Sequence, residues 1–215
     1  MYQPLQHTLL HQTLWLSPNR TMYWQQQQTL ILSDLHLGKT THFRKAGIAI
    51  PTPVASNNMH RLLQDVQHFN PTKIIIVGDL FHSHANAENK LFEKYRDTIN
   101  HIPIHLIQGN HDTLTLQTHA QLGLQVHNTE LLQAPFLFTH MPPIIKPNTY
   151  TISGHIHPAI SMQGAGRQSL RLACFYFDIN YAILPAFGSF TGMYNISPSK
   201  HSSTYAVTPT EVIAL

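Results

Sequence analysis

The chain has 215 residues, 42% of them hydrophobic, which is enough for a substantial core and near the upper edge of one domain. Charged residues make up only 11%, and the net charge of +3 arises from scarce acids with no basic run, so nothing marks a dedicated nucleic-acid-binding module or a polybasic tail. A single cysteine, Cys174, excludes an intrachain disulfide, and no basic-then-apolar leader or membrane-length apolar run occurs, so a cytoplasmic protein with no membrane partner is expected.

In chain order, residues 5–32 alternate or run apolar around turn signals at Ser17-Pro18-Asn19 and 25–28. This predicts two strands leading into a third at Leu30-Ile31-Leu32. Val54, Met59, Leu62, Leu63, Val66 and Phe69 fall at helical spacing over 54–69, and Asn70-Pro71 ends the pattern. Residues 73–77 form the continuous apolar run of a buried strand. A second helical pattern covers 86–101, and 104–107 is another short apolar strand. After a short helical stretch at 113–122, strands are expected at 124–127, 135–139, 149–153, 158–163, 169–177, 181–184, 203–207 and 211–214. In the strand at 169–177, Cys174 reads as a buried, inert thiol. Strand–helix alternation followed by a strand-rich half predicts an α/β layered sheet protein, in one domain over 1–215.

Five of these apolar runs end directly in residues that bind metals. Leu30-Ile31-Leu32-Ser33 leads into Asp34-Leu35-His36, and the run at 73–77 leads into Gly78-Asp79. The run at 104–108 leads into Gly109-Asn110-His111-Asp112. Residues 136–139 end in His140, and residues 150–153 end in Gly154-His155-Ile156-His157. Ligands at the carboxyl ends of sheet strands converge on one crevice, and the glycines preceding them are expected to let the backbone turn tightly there. Histidine is abundant, at 17 residues, so chance must be weighed. At this composition Asp-x-His arises roughly 0.5 times per chain by chance, Gly-His-x-His about 0.06 times and Gly-Asn-His-Asp on the order of 0.001 times. Of the six aspartates, three lie inside these clusters.

Carboxylate, imidazole and amide oxygen without thiolate suit Mn, Fe or Zn and argue against a structural zinc or iron–sulfur site. Asp34, His36, Asp79, Asn110, His140, His155 and His157 are too many ligands for one open catalytic ion, and fit two divalent ions sharing a carboxylate. Paired ions are a recurring solution to phosphoryl hydrolysis.

The series Asp34-x-His36, Gly78-Asp79, Gly109-Asn110-His111-Asp112, His140 and Gly154-His155-x-His157 resembles the complete signature of the calcineurin-like metallophosphoesterase superfamily. That resemblance implies a four-layer α/β/β/α sandwich and a set of roles. Asp34, His36 and His157 would hold one metal, Asn110, His140 and His155 the other, and Asp79 would bridge them. A metal-bridging hydroxide would attack phosphorus, His111 would protonate the leaving oxygen, and Asp112 would fix the His111 tautomer. A narrower resemblance runs through residues 34–51, Gly78–Ser83, 157–172 and 184–192. It is to the bacterial ligase-associated DNA damage response endonucleases of the PdeM family. It implies a phosphodiesterase acting on DNA in repair, with a DNA ligase and a helicase as partners; of the metals the ligand set suits, manganese is expected ahead of iron or zinc.

Around this set, His82 reads either as a substrate contact or as an exposed loop histidine. Lys39 and Arg44 would meet a DNA backbone or belong to an ordinary solvated loop. Arg167, with Arg171, offers backbone contact or edge-strand charge. Two rival functions share the motifs. One is a phosphohydrolase of small nucleotides, cyclic nucleotides or monoesters; the other is a catalytically silent protein-interaction scaffold, against which the complete ligand set argues.

Overall fold

A computed structural model describes residues 3–39, 54–82, 87–164, 166 and 168–215. Two sheets lie face to face. The first has strand order β1 (Leu5–Leu9), β2 (Gln12–Leu16), β3 (Met22–Trp24), β4 (Thr29–Leu32), β5 (Lys73–Val77), β6 (Ile104–Ile107) and β7 (Leu124–His127). It is antiparallel from β1 to β4 and parallel from β4 to β7. The hairpin between β1 and β2 turns on Leu10 and His11, both at positive φ, as a two-residue turn matched to strand twist requires. Where the pattern over 5–32 predicts three strands there are four, because β3 is only three residues long and too short to leave a period.

Helices α1 (Val54–Phe69), α2 (Ala87–Thr98) and α3 (Leu116–Gln121) connect the parallel strands. Asn70 ends α1 in the left-handed conformation, its N–H returning to the Val66 carbonyl at 2.9 Å. Met59, Leu62 and Val66 on α1 and Phe92 on α2 pack on Leu30, Leu32, Ile74 and Ile76 of the first sheet. The intervening residues Ile31, Ile75 and Val77 face the other way, into a second core built with Phe136, Phe138, Ile152, Phe175 and Leu184 of the second sheet. Strands β4 and β5 are thus buried on both faces, which is why they read as unbroken apolar runs.

The second sheet runs β14 (Tyr194–Asn195), β11 (Pro158–Gln163), β12 (Ser169–Phe177), β13 (Tyr181–Ile183), β10 (Tyr150–Ser153), β9 (Phe136–Thr139) and β8 (Glu130–Gln133). β15 (Ser203–Val207) pairs with β12 and with β16 (Val212–Ala214). The chain is therefore α/β with a strand-rich C-terminal half, the sandwich architecture that the motifs imply. The helical layer lies on the first sheet, and among the described residues no helix covers the second. Two features put the site in one place: β4, β5 and β6 are mutually parallel, and so are β9 and β10. Beyond their ends the sheets are joined by backbone, with Phe187 N–H donating to the Ser33 carbonyl at 2.9 Å and Gly188 N–H to the Asp34 carbonyl at 3.0 Å.

Candidate metal centre

The residues following the five strand ends meet in two groups. Potential ligand atoms of Asp34, His36 and His157 lie within 4.8 Å of one another, as do those of Asp79, His140 and His155. Asp79 stands between the groups, its Oδ2 3.4 Å from His140 Nε2 and 3.7 Å from His36 Nε2. Asn110 Oδ1 approaches His140 Nε2 to 3.1 Å and so joins the second group. All seven expected ligands are brought together, from both sheets.

Hydrogen bonding behind the rings decides what this cluster accepts. His157 Nδ1 lies 3.0 Å from the Gly192 carbonyl and His140 Nδ1 lies 3.2 Å from the Val77 carbonyl, so both donate from Nδ1. Their Nε2 lone pairs consequently point inward. The His157 lone pair faces Asp34 Oδ1 at 3.3 Å and His36 Nε2 at 3.3 Å. That of His140 faces Asp79 Oδ2, Asn110 Oδ1 and, at 3.1 Å, His155 Nδ1. Acceptors facing acceptors repel unless a cation lies between them. Around an ion with ligands near 2.1 Å, adjacent ligand atoms stand about 3.0–3.4 Å apart; most separations here are 3.1–3.4 Å, with His36 Nε2 to Asp34 Oδ1 wider at 4.0 Å. The residues fit a pair of divalent metal ions.

The electrostatics agree. Burial drives the His36 imidazole down to about 3, overriding Asp34 and Asp79, so it is neutral and able to ligate. Burial would raise Asp79, but a proton on His140 Nε2, standing where a cation would, hydrogen-bonds Asp79 and with its charge brings it to about 2. Burial opposes the charged form of His140 too, yet Asp79 raises it overall, so the second group attracts positive charge.

The backbone modifies one expectation. The tight turning falls on the ligands themselves: Asp34, His36, Asp79, His155 and His157 are five of the ten non-glycine residues at positive φ among those described. Asp and His are among the few side chains that tolerate this region. Of the glycines before them only Gly78 has positive φ. A Cβ on Gly109 would lie 2.2 Å from Asp79 Oδ1, and one on Gly78 would lie 2.0 Å from His140 Nδ1, so these glycines make room for ligand side chains.

His111 donates its backbone N–H to Asp79 Oδ1 at 2.9 Å and lays its ring flat on His82, with centroids 4.7 Å apart. His111 and His82 both lie edge-on to His36, at 5.3 and 5.7 Å. His82 therefore lines the cleft and is not a free loop residue. Buried Asp112 accepts from Phe81 N–H at 2.9 Å and Gly109 N–H at 3.0 Å, which ties the ends of β5 and β6 together. No hydrogen bond joins it to His111 among the described residues, so the geometry gives Asp112 a scaffolding task, distinct from the tautomer-fixing implied by the resemblance. Lys39 is partly buried, which lowers its pKa, and it feels the charges of Asp79 and Asp34. Arg44 and Arg167 lie outside the described residues. Support that the sequence did not single out comes from the segment after β13: Phe187 is fully buried, and Gly188 and Gly192 hold Asp34 and His157. Its signal was present in the Leu184–Gly192 match, which had no role attached.

Fold and site together define a metal-dependent phosphoesterase, and residues 28–174 match the calcineurin-like phosphoesterase family, to which the chain belongs. Members of that family bind a pair of divalent metals. The crystal structure of Pseudomonas putida nuclease MPE is 31% identical, with all of both chains covered and a TM-score of 0.83. Yfce, a phosphoesterase from E. coli, is 16% identical over 86% of this chain and 96% of its own, with a TM-score of 0.42. A conserved, uncharacterized predicted phosphoesterase from Streptococcus pneumoniae TIGR4 is 10% identical over 87% of this chain and 95% of its own, with a TM-score of 0.36. No curated protein sequence matches the chain.

Proposed function

We propose that this phosphoesterase is a dinuclear phosphodiesterase that cuts DNA in bacterial repair, in the cytoplasm and with manganese as its native metal. The observation that carries the metal-dependent part is the inward convergence of acceptor atoms from both sheets. The nucleic-acid part is supported by full-length similarity to a nuclease. Asp34, His36 and His157 would hold one ion, Asn110, His140 and His155 the other, and Asp79 both. Residues 1–215 then work as one domain, since neither sheet alone supplies a complete set. A DNA ligase and a helicase as partners rest on the family resemblance alone.

When bound, the ions neutralise charge on the phosphate and lower the pKa of water. Positioning and proton transfer fall to the chain. His111 makes no side-chain hydrogen bond among the described residues, leaving its ring nitrogens open to substrate. From there it donates a proton to the departing 5′ or 3′ oxygen. His82 keeps the ring from rotating by stacking on it. Asp112 positions His111 indirectly, through the Gly109 turn. Lys39 brings a cation to the cleft edge for a substrate phosphate, a task that Arg44 and Arg167 would share.

The test is a substrate panel with Mn²⁺: single- and double-stranded DNA, cyclic nucleotides, a phosphomonoester and bis-p-nitrophenyl phosphate. Chelator-sensitive cleavage of DNA and of the diester, faster than of the monoester, is expected. Cleavage confined to cyclic nucleotides or the monoester would transfer the assignment to a small-molecule phosphohydrolase. No chelator-sensitive cleavage of any member would refute the proposed activity.

A further inference from the structure

A pocket of about 350 Å³ lies against the segment that supports the first ligand group. Three arginines line it: Arg20 from the turn before β3, Arg61 from α1 and Arg171 from β12. Among the described residues, none that lines it is acidic. All three arginines are set by bonds to main-chain carbonyls. Arg20 Nη1 donates to Ala186 at 3.1 Å and Gly188 at 3.4 Å, and Arg61 Nη2 to Phe187 at 2.6 Å, with the Arg61 guanidinium 4.5 Å above the Phe187 ring. Arg171 Nη2 donates to the Met193 carbonyl.

A clamp would explain these contacts if it used up the donors; it does so for Arg61, whose Nη1 bonds the Asn19 carbonyl and whose Nη2 also reaches Asn58 Oδ1 and Ser189 Oγ, but not for the other two. Among the described residues Arg20 Nε and Nη2, and Arg171 Nε and Nη1, have no hydrogen-bond partner; Arg20 is half-buried and Arg171 exposed. Nor does a clamp need charge, since an amide would serve a carbonyl as well. Here burial, and then the charge of Arg20, push Arg61 down to about 10, with Asp65 pulling the other way. That carboxylate already accepts from Asn19 Nδ2 at 2.8 Å and Thr21 Oγ1 at 2.5 Å. Three cations held around one cavity, two of them with guanidinium donors to spare, match the charge and hydrogen-bonding capacity of a phosphate group.

We propose that the pocket among Arg20, Arg61 and Arg171 is a phosphate-binding site distinct from the metal-ligand groups. It shares a wall with them: Gly188 N–H bonds the Asp34 carbonyl, Gly192 accepts from His157, and Arg171 holds the next residue, Met193. The phosphate comes either from the strand being cut, beyond the scissile bond, or from solution as free phosphate. The first source rests on the phosphodiesterase reading above; the second does not.

The test uses the full-length, metal-loaded protein and the variants Arg171→Gln, Arg171→Lys and Arg20→Lys, with folding checked by circular dichroism. Arg171 lies on an exposed stretch of β12, so its replacement spares the core. In one arm inorganic phosphate is titrated calorimetrically; the metal-centre contribution is common to all the proteins and cancels in the comparison. In the other arm KM and kcat are measured for an oligonucleotide and for bis-p-nitrophenyl phosphate, which carries one phosphate. A strand phosphate predicts that Arg171→Gln raises the ratio of the two KM values about tenfold, with little effect on the kcat ratio and partial rescue by lysine. A free phosphate predicts about tenfold weaker titration in Arg171→Gln with the KM ratio unmoved. Phosphate binding equal in all variants, together with an unmoved KM ratio, overturns the proposal. Wild-type protein that cleaves neither substrate defeats the phosphodiesterase reading instead, and the titration arm still decides the pocket.

Discussion

At the scale of single residues the centre is held by strain and by absent side-chain atoms. Left-handed backbone at a non-glycine residue costs on the order of 1–3 kcal/mol, and five ligand residues carry it. Neighbouring bonds overdetermine these conformations; Asp34 alone is held by its N–H to Gly78 at 3.1 Å and by His155 N–H to its Oδ2 at 3.0 Å. Gly109→Ala should therefore damage the site without touching a ligand. Its Cβ would sit 2.2 Å from Asp79 Oδ1 and 2.4 Å from the Asp79 nitrogen, and the backbone atom cannot swing aside. Metal affinity should fall about 10–100-fold, the usual effect of disturbing ligand support, as read by metal titration. His111→Ala makes the opposite expectation. It removes a ring that holds no ligand atom while keeping the N–H that binds Asp79. Two metals should remain by elemental analysis, and turnover should drop about 10²–10⁴-fold. Loss of metal instead would show that His111 acts structurally.

At the scale of elements, Asp112 is the tie between the end of β5 and the end of β6. Asp112→Ala would leave the Phe81 and Gly109 N–H groups without their acceptor, at about 1–3 kcal/mol for each buried group. Urea denaturation should report a lower midpoint, and metal affinity should fall with it because Asp79 lies between the two. An unchanged midpoint would mean that water replaces the carboxylate. The same elements show why much of the site was legible beforehand. β4, β5 and β6 are short, almost wholly buried and end in ligands, so pattern and motif coincide. Histidines and aspartates also supply both the metal chemistry and the left-handed turn, so one set of letters encodes two requirements. What escaped notice lacked such coincidence. β8 alternates between half-buried and exposed residues, and β14 is two residues long. Arg20 and Arg61 look in sequence like ordinary surface charge, and only the fold brings them under the Ala186–Gly188 carbonyls. The tautomer-fixing role of Asp112 came with the family resemblance, and a motif carries no side-chain direction.

At the scale of the whole molecule, metal binding and folding stability should be one measurement, because each ligand group draws on both sheets. Asp34 and His36 follow β4 of the first sheet while His157 follows β10 of the second; Asp79 and Asn110 likewise face His140 and His155. Ions seated there would bind the assembled sandwich and not the unfolded chain, each stabilising it by about 2.7 kcal/mol when free metal is a hundred times that site's dissociation constant. Cys174 supplies a reporter. It is fully buried in β12, paired with Ala206 of β15, and burial pushes its thiol up to about 12. Native protein should thus react with a thiol reagent only through opening of the second sheet, at least about a thousandfold more slowly than the unfolded chain at ordinary domain stability. Adding Mn²⁺ at a hundred times the dissociation constant of each site should slow labelling by about a further hundredfold for every ion bound, and chelator should reverse the effect. If metal leaves the labelling rate unchanged although both ions are bound, Cys174 is exposed by an opening that leaves the two ligand groups intact. The second sheet would then move independently of the centre that joins it to the first.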